Sequence, residues 1–431
     1  MATTFRFASF CALVSLFAAC GGDDGDVLDG GVDGAPPVGD AAPPGDVVTA
    51  GDALPPGCTS VTELPAAVET SVTVGPGCVI AHQVAIRNSA VLTVQPGTKV
   101  LMKSGGYFDI GSFTGGGALV AVGTAAAPIT FTSAAATPQA GDWQCLFFGT
   151  GSTDSELSFV NLSHGGALCK VDGSGDNLAT VIIRGGIRGF SNSAVTDSLS
   201  HGIKIENKAG VRAFANNTFA RNGAGGEPSL WVAANEVVTL KTPNTFMDPD
   251  DYIRVDSTFS AGTSGTWLAQ TVPLRATSLA INDMAQITFA AGLKLQMAGG
   301  TIEVFRGNLV SEGTPEAPVL ITSGNPNPMP GDWGCIWYSS VQGTPALRNT
   351  VIEYAGSGMG CSGANYKMAV VLQDSVQIMG TTIRKIAGGG IRSGAACEVV
   401  LPWCAGVTFQ ELMTEALQCG PGGNMSLNCP P

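Results

Sequence analysis

The chain has 431 residues, a formal net charge of −13, 59 glycines and only 13% charged residues. That balance excludes a basic nucleic-acid-binding surface. Glycine with short β-branched apolar runs suits strands and tight turns rather than long amphipathic helices.

At the N-terminus Arg6 precedes an apolar run, Phe7 to Ala19, and then Cys20. A short charged segment, an apolar segment too brief to span a membrane and small residues at a cut site predict an export signal over residues 1–19. The string Leu16-Phe17-Ala18-Ala19-Cys20 resembles the lipobox of bacterial lipoproteins, with Phe17 where that family carries leucine. The resemblance implies cleavage before Cys20 and lipidation of Cys20, so that a lipid anchor makes the membrane a partner. Gly21 after the lipidated residue is similar to the outer-membrane sorting class. The expected location is the cell envelope, anchored in the outer membrane, surface-exposed or facing the periplasm.

Residues 20–57 carry eight Asp and no Lys or Arg among Gly and Pro. Such a stretch has too few large apolar groups to fold and predicts a disordered tether. Its Asp23, Asp24, Asp26, Asp29 and Asp33 lack the closing bidentate Glu of a known calcium loop. No cofactor is expected, and Ca²⁺ is the one ion left open.

From Cys58 the pattern changes. Apolar bursts such as Ser71–Val74, Val91–Val94, Lys99–Met102 and Ala118–Val122 alternate with Pro76-Gly77, Pro96-Gly97 and Gly115-Gly116-Gly117. Turn signals at this spacing predict an all-β chain, either a sandwich or a solenoid. One repeated stretch favours the solenoid. Pro128-Ile-Thr-Phe-Thr-Ser133 with Gly141-Asp142-Trp143 recurs as Pro318-Val-Leu-Ile-Thr-Ser323 with Gly331-Asp332-Trp333, 190 positions later and without slippage. A stack of rungs extends by repeating its middle, whereas a closed sandwich does not. The expected halves are residues 58–238 and 239–431.

These stretches, with Phe159-Val-Asn-Leu162 and Thr350-Val-Ile-Glu-Tyr-Ala355, resemble bacterial right-handed parallel β-helix proteins of the pectate-lyase-like superfamily, in particular their surface lipoproteins. The resemblance implies a right-handed parallel β-helix with an internal tandem duplication. It departs at Cys145 and Cys335, which follow the repeated Trp and suggest a disulfide installed in both copies. Cys169 and Cys361 lie about one rung further on, so Cys145–Cys169 and Cys335–Cys361 are expected to pair. Proximity adds Cys58–Cys78 at the entrance, and Cys397–Cys404 and Cys419–Cys429 at the exit, where other connectivities stay open. Phe409 to Leu417 reads as a short terminal helix that caps the stack.

Candidates for chemistry are few. His82, His164 and His201 share no metal-ligand spacing and read as turn or surface residues. No Gly-x-Ser-x-Gly turn is present. Asp142, Asp332 and the cluster Asp248, Asp250, Asp251 read as turn formers, with paired-carboxylate glycoside hydrolysis as the alternative. Lyases of the resembled superfamily use Arg or Lys as base, often with calcium. That resemblance points to Arg184, Arg188 and Lys204, with Arg212, along one face of successive rungs. Trp143 and Trp333 are expected in the core, and Trp231 and Trp267 are freer to meet a ligand. Two functions follow: a non-enzymatic surface lipoprotein for adhesion or carbohydrate binding, or a surface polysaccharide lyase or glycoside hydrolase on the same scaffold.

Overall fold

A computed structural model describes residues 58–394, 406–420 and 425–427, save 113–114, 153, 172, 174–176, 242, 259, 359–360 and 362–365. The expected signal, tether and lipidated Cys20 lie outside the described residues, as do Cys397, Cys404 and Cys429.

Short strands alternate apolar and polar residues, so each can bury one face and solvate the other. They do so by winding. Among the described residues every ladder between strands is parallel except the last, where Leu417–Cys419 meets Met425–Leu427 antiparallel. The chain is a parallel β-helix. Its interior is one aliphatic and aromatic core running from Leu64 to Leu417. Inside it Phe190, Phe214, Phe219 and Phe246 stack in series, with successive ring centroids 5.9, 6.4 and 4.8 Å apart. Where polar groups enter, they pair along the axis. Asn217 Nδ2 donates to the Phe190 carbonyl at 2.9 Å, and the Asn217 backbone N–H donates to Asn244 Oδ1 at 3.1 Å.

The rungs turn sharply at single residues in the left-handed region. Phe159, Asn192 and Asn216 occupy one edge at φ 51°, 52° and 58°, and His164, Asp197 and Arg221 the next at 65°, 55° and 53°. Tyr354 and Lys385 repeat the second edge in the later copy. One such residue reverses the local twist and redirects a strand without a long loop.

The duplicated corner is built identically in both copies. Asp142 Oδ2 accepts from Ser133 Oγ at 2.6 Å and from the Gln139 amide at 2.9 Å. Asp332 Oδ2 accepts from Ser323 Oγ and the Met329 amide at the same distances. Both aspartates are turn formers. Trp143 and Trp333 are fully buried and donate Nε1 to the carbonyls of Ser163 and Glu353 at 2.8 and 2.7 Å.

The two copies are not simply translated. In the first, Ile129–Ser133 stacks with the Lys99–Met102 end of Lys99–Ile110 and with Val160–Ser163, and the following strand, Leu146–Phe148, stacks on the Phe108–Ile110 end of that same long strand and so belongs to a second ladder. That second ladder continues through Ala179–Ile183, His201–Ile205, Leu230–Ala233, Ile253–Asp256 and Leu274–Ala276. It then receives Lys294–Met297 and Val319–Ser323, the repeat of Ile129–Ser133. The later copy is therefore turned about the axis by one face. The junction follows Asp256, where the Ala261 amide donates to the Ala280 carbonyl at 2.8 Å and opens a new ladder. The ladder passing through 230–276 also shows that the stack runs unbroken across 238 and 239.

Disulfides among the described residues join Cys58–Cys78, Cys145–Cys169 and Cys335–Cys361. Cys419 is also disulfide-bonded. Cys145 and Cys169 do not sit on neighbouring coils as the spacing suggested. Leu146 pairs with Val181, and Cys169 lies on the intervening segment folded back over the outside of the sheet. There the bond joins Phe147, Ala179 and Ile182 in an apolar cluster separate from the core. Cys335–Cys361 does the same with Met368 and Val371.

The expected terminal helix is absent. Val407–Leu412 is a strand paired in parallel with Thr381–Ile386, and Leu417–Cys419 pairs with Gly389–Ser393. Helix-forming Glu, Met and Leu yield here because the open ladder above offers backbone partners that so short a helix cannot match.

Replacing Cys145 and Cys169 together by serine removes a cross-link spanning 24 residues. The expected loss is about 3 kcal/mol, read as a lower denaturation midpoint, with the β-type circular-dichroism spectrum retained at low denaturant.

Candidate functional site

In a parallel ladder, outward side chains of successive rungs stand in file about 4.8 Å apart. On the long ladder shared by both copies that file is Ile182, Lys204, Trp231, Arg254, Arg275, Gln296 and Thr322. Thr322 Oγ1 donates to Glu353 Oε2 at 3.0 Å, and Glu353 and Arg384 carry the file onward.

The centre of the file combines cations with aromatic rings. Lys204 Nζ lies 4.7 Å from the Trp231 ring centroid, and Arg275 Cζ lies 3.8 Å from that of Tyr252. Arg275 Nε also donates to Gln296 Oε1 at 2.9 Å. Arg254 is half-exposed and reaches Glu227 Oε2 at 3.5 Å. Arg384 Nε donates to Glu353 Oε1 at 2.6 Å.

Two grooves border this file. One, of about 410 Å³, lies between the corners at 221–228 and 248–252 and is lined by Arg221, Glu227, Asp248 and Tyr252. The other, of about 730 Å³, is lined by Arg275, Lys294, Gln296, Asn325, Glu353 and Tyr354. Asp250 lines both. Its neighbours hold the corner: Asp248 Oδ2 accepts the Arg221 amide at 2.7 Å, and Asp251 Oδ1 accepts those of Ser229 and Tyr252 at 3.1 and 2.8 Å. Arg221 is fixed by Asp197 through bonds of 2.7 and 2.8 Å, and that guanidinium holds the Asp197 carboxyl below its ordinary pKa.

The basic residues singled out from the sequence do not share one face. Arg184 and Lys204 converge on Glu206, at 2.6 and 3.4 Å. Arg184 also lies over the Phe147 ring at 5.0 Å. Arg188 stands on another sheet and pairs with Asp154 at 3.1 Å, and Arg212 follows the Ile187–Val211 bridge on that same side. Glu206 was missed because it sits beyond its strand, out of the alternating pattern. Lys204 is not a solvated surface lysine: it is 5% exposed.

Two other expectations are corrected. Trp267 is fully buried against Phe289 and faces no ligand, since its strand turns it inward. Trp231 is half-buried on the outward file, in register with Lys204 and Arg254. His201 is not a surface residue. It is 6% exposed, with Nδ1 2.7 Å from the Pro228 carbonyl and Nε2 3.5 Å from Glu227. His82 is exposed, and His164 sits at a corner, 3.1 Å from Thr132 Oγ1. Among the described residues no group of three or more His, Cys, Asp or Glu gathers to hold a metal ion, and no helix is long and apolar enough to cross a membrane.

Residues 69–176 match the family of pectate-lyase like beta helix domains. No curated protein and no solved structure matches the chain. The family match ends before Lys204, so it bears on the scaffold and not on the grooves.

Burial holds the His201 imidazole below its ordinary pKa, with Arg254 and Lys204 acting in the same direction and Glu227 and the Pro228 carbonyl opposing them. The unfolded chain therefore takes up this proton first, near pH 6.5. Stability present above about that pH is lost as pH falls through the lower folded-state pKa. The thermal midpoint should decline on acidification through this window, and His201→Asn should flatten the decline.

Proposed function

We propose that the protein is an exported, lipid-anchored surface protein that binds a glycan along the outward file of its β-helix without transforming it. The observation that carries this reading is the unbroken file of Trp231, Arg254, Arg275 and Gln296 beside two grooves. Sugars are recognised by aromatic faces together with planar donors and acceptors. Trp231 and Tyr252 supply rings, Arg254 and Arg275 supply planar donors, and Glu227 and Asp250 supply acceptors. An extended polymer suits a file that repeats once per rung.

A non-catalytic role is supported by the way the basic residues are held. Arg184 and Lys204 are tied to Glu206 and Arg188 to Asp154, which fixes them in place rather than freeing one to take a substrate proton. Export is supported by the disulfides, which persist in oxidising compartments, and the anchor by the lipobox-like string ending at Cys20. The reading requires no cofactor.

Retention on immobilised pectin, alginate, cellulose and chitin tests it. One of these should retain the protein, with neither new ultraviolet-absorbing unsaturated ends nor new reducing ends. Trp231→Ala and Arg254→Ala should each weaken retention about tenfold. Product release that disappears in Lys204→Ala would replace binding by catalysis.

A further inference from the structure

One carboxylate oxygen beside the outward file has two claimants. Glu227 Oε2 lies 3.5 Å from Nε2 of the buried His201 and 3.5 Å from Nη1 of the half-exposed Arg254. The loop that carries Glu227, residues 222–228, is pinned to the preceding rung: the Gly223 and Gly225 amides donate to the carbonyls of Ser200 and Leu199 at 2.9 Å each. It is also tightly folded. Gly223 sits at φ 71°, and a Cβ there would come within 1.6 Å of the Glu227 carbonyl oxygen. The carboxylate is thus held between imidazole and guanidinium, and the same loop walls the groove of about 410 Å³.

The protonation state of the ring decides which of them the carboxylate meets. His201 Nδ1 lies 2.7 Å from the Pro228 carbonyl. A carbonyl only accepts, so Nδ1 carries the proton of the neutral ring. Nε2 then turns a lone pair toward Glu227 Oε2, and two acceptors face each other with no hydrogen bond between them. A proton taken up at Nε2 makes that pair a charged donor and a carboxylate, the stronger class of hydrogen bond. Arg254 Nη1, at 3.5 Å, stands at the long limit of a hydrogen bond and holds the oxygen loosely. Among the described residues the charged groups that bear on the ring are Glu227, Arg254 and Lys204. The adjoining strand Ala179–Ile183 brings no titratable side chain. The two cations oppose protonation and Glu227 favours it, so this cluster sets the equilibrium.

We propose that His201, Glu227 and Arg254 form a proton-operated release for the arginine of the binding file: acid transfers Glu227 from Arg254 to His201 and leaves the Arg254 guanidinium free to bond a glycan. The inference rests on the glycan-binding reading for the ligand that Arg254 meets, and on the shared oxygen for the switch itself. The only covalent change is the proton taken up from water at Nε2. Binding tightens about fivefold as pH falls across the imidazole range. Linkage is reciprocal, so a saturating ligand raises the His201 titration midpoint by the same factor, about 0.7 pH unit.

The test follows the His201 imidazole by NMR in the purified full chain in detergent. Its signal is identified by its loss in His201→Asn, and His82 and His164 serve as internal references. Glu227→Gln should lower the His201 midpoint, and Arg254→Met should raise it. Arg254→Lys should hold the midpoint near the wild-type value, an outcome that a folding defect would not give. A midpoint that Arg254→Met leaves unmoved overturns the switch. Retention on immobilised pectin, alginate, cellulose and chitin is then measured from about pH 8 to about pH 5. It should rise with acid in the wild type and lose that rise in His201→Asn and in Glu227→Gln. Retention that does not change with pH overturns the switch and leaves the glycan reading standing. No retention at any pH overturns the glycan reading, and the His201 midpoints then decide the switch on their own.

Discussion

Parallel register is the constraint on which the rest of this structure depends. Each rung hydrogen-bonds to the rung above and below, so every side chain is committed to a file of neighbours from residues some 20 to 35 places away in sequence. Inside, that commitment is satisfied by shape: aliphatic groups and stacked phenyl rings fill the axis, and no rung buries its apolar face alone. Outside, it forces charges into contact. Arg254 and Arg275 are direct Cα partners, and like charges so placed repel. The structure relieves them separately. Arg254 leans to Glu227, while Arg275 lies flat on Tyr252 and bonds Gln296. Aromatic rings and carboxylates on this face therefore have a structural reason to be there, and the proposed glycan binding would draw on the same groups.

The turn of one face between the copies separates two kinds of constraint. Interior positions see the same surroundings in both copies, so Trp143 and Trp333 keep their bond to a carbonyl, and Asp142 and Asp332 keep theirs to Ser and amide. Exterior positions do not. The first copy's file runs on into the second copy, whereas the second copy's equivalent file ends near Gln418. Lys204 can thus rest on Trp231 while Arg392 rests on Tyr366, a residue from the stapled segment rather than the next rung. The scaffold was preserved and the surface was free to diverge.

Much of this was legible in the sequence, for reasons that can be named. The repeated Gly-Asp-Trp marks a corner whose hydrogen bonds are local, so its chemistry could be read from nearby residues. Cys145 and Cys169 were paired correctly although the supposed geometry was wrong, because a segment folded back over the sheet brings them as close as adjacent rungs would. The lateral files were not legible. Rung length varies with each inserted segment, so the partner of Lys204 or Arg254 cannot be counted out along the chain. Nor was the turn between copies, which is set by how Ala261 enters a new ladder beside Ala280. The terminal helix failed for a related reason: Phe409 to Leu417 has helical propensity, but propensity is a weak term beside an open strand edge.

The segments held by Cys145–Cys169 and Cys335–Cys361 have a consequence for where a ligand can lie. Each covers the outward face of its ladder at the aromatic and aliphatic positions, burying Phe147 and Ile182 in one copy and Val371 in the other. Left uncovered, these would be apolar patches beside the polar file. Covered, they end it, so that the accessible surface begins beyond Lys204, at Trp231. On the proposed reading, a polymer on the long ladder would be stopped at the stapled segment and would extend the other way, across Arg254 and Arg275 toward Gln296 and Glu353. The disulfides thus do more than stabilise the coil. They bury an apolar patch on the outside of a ladder, and they do so on a different face in each copy.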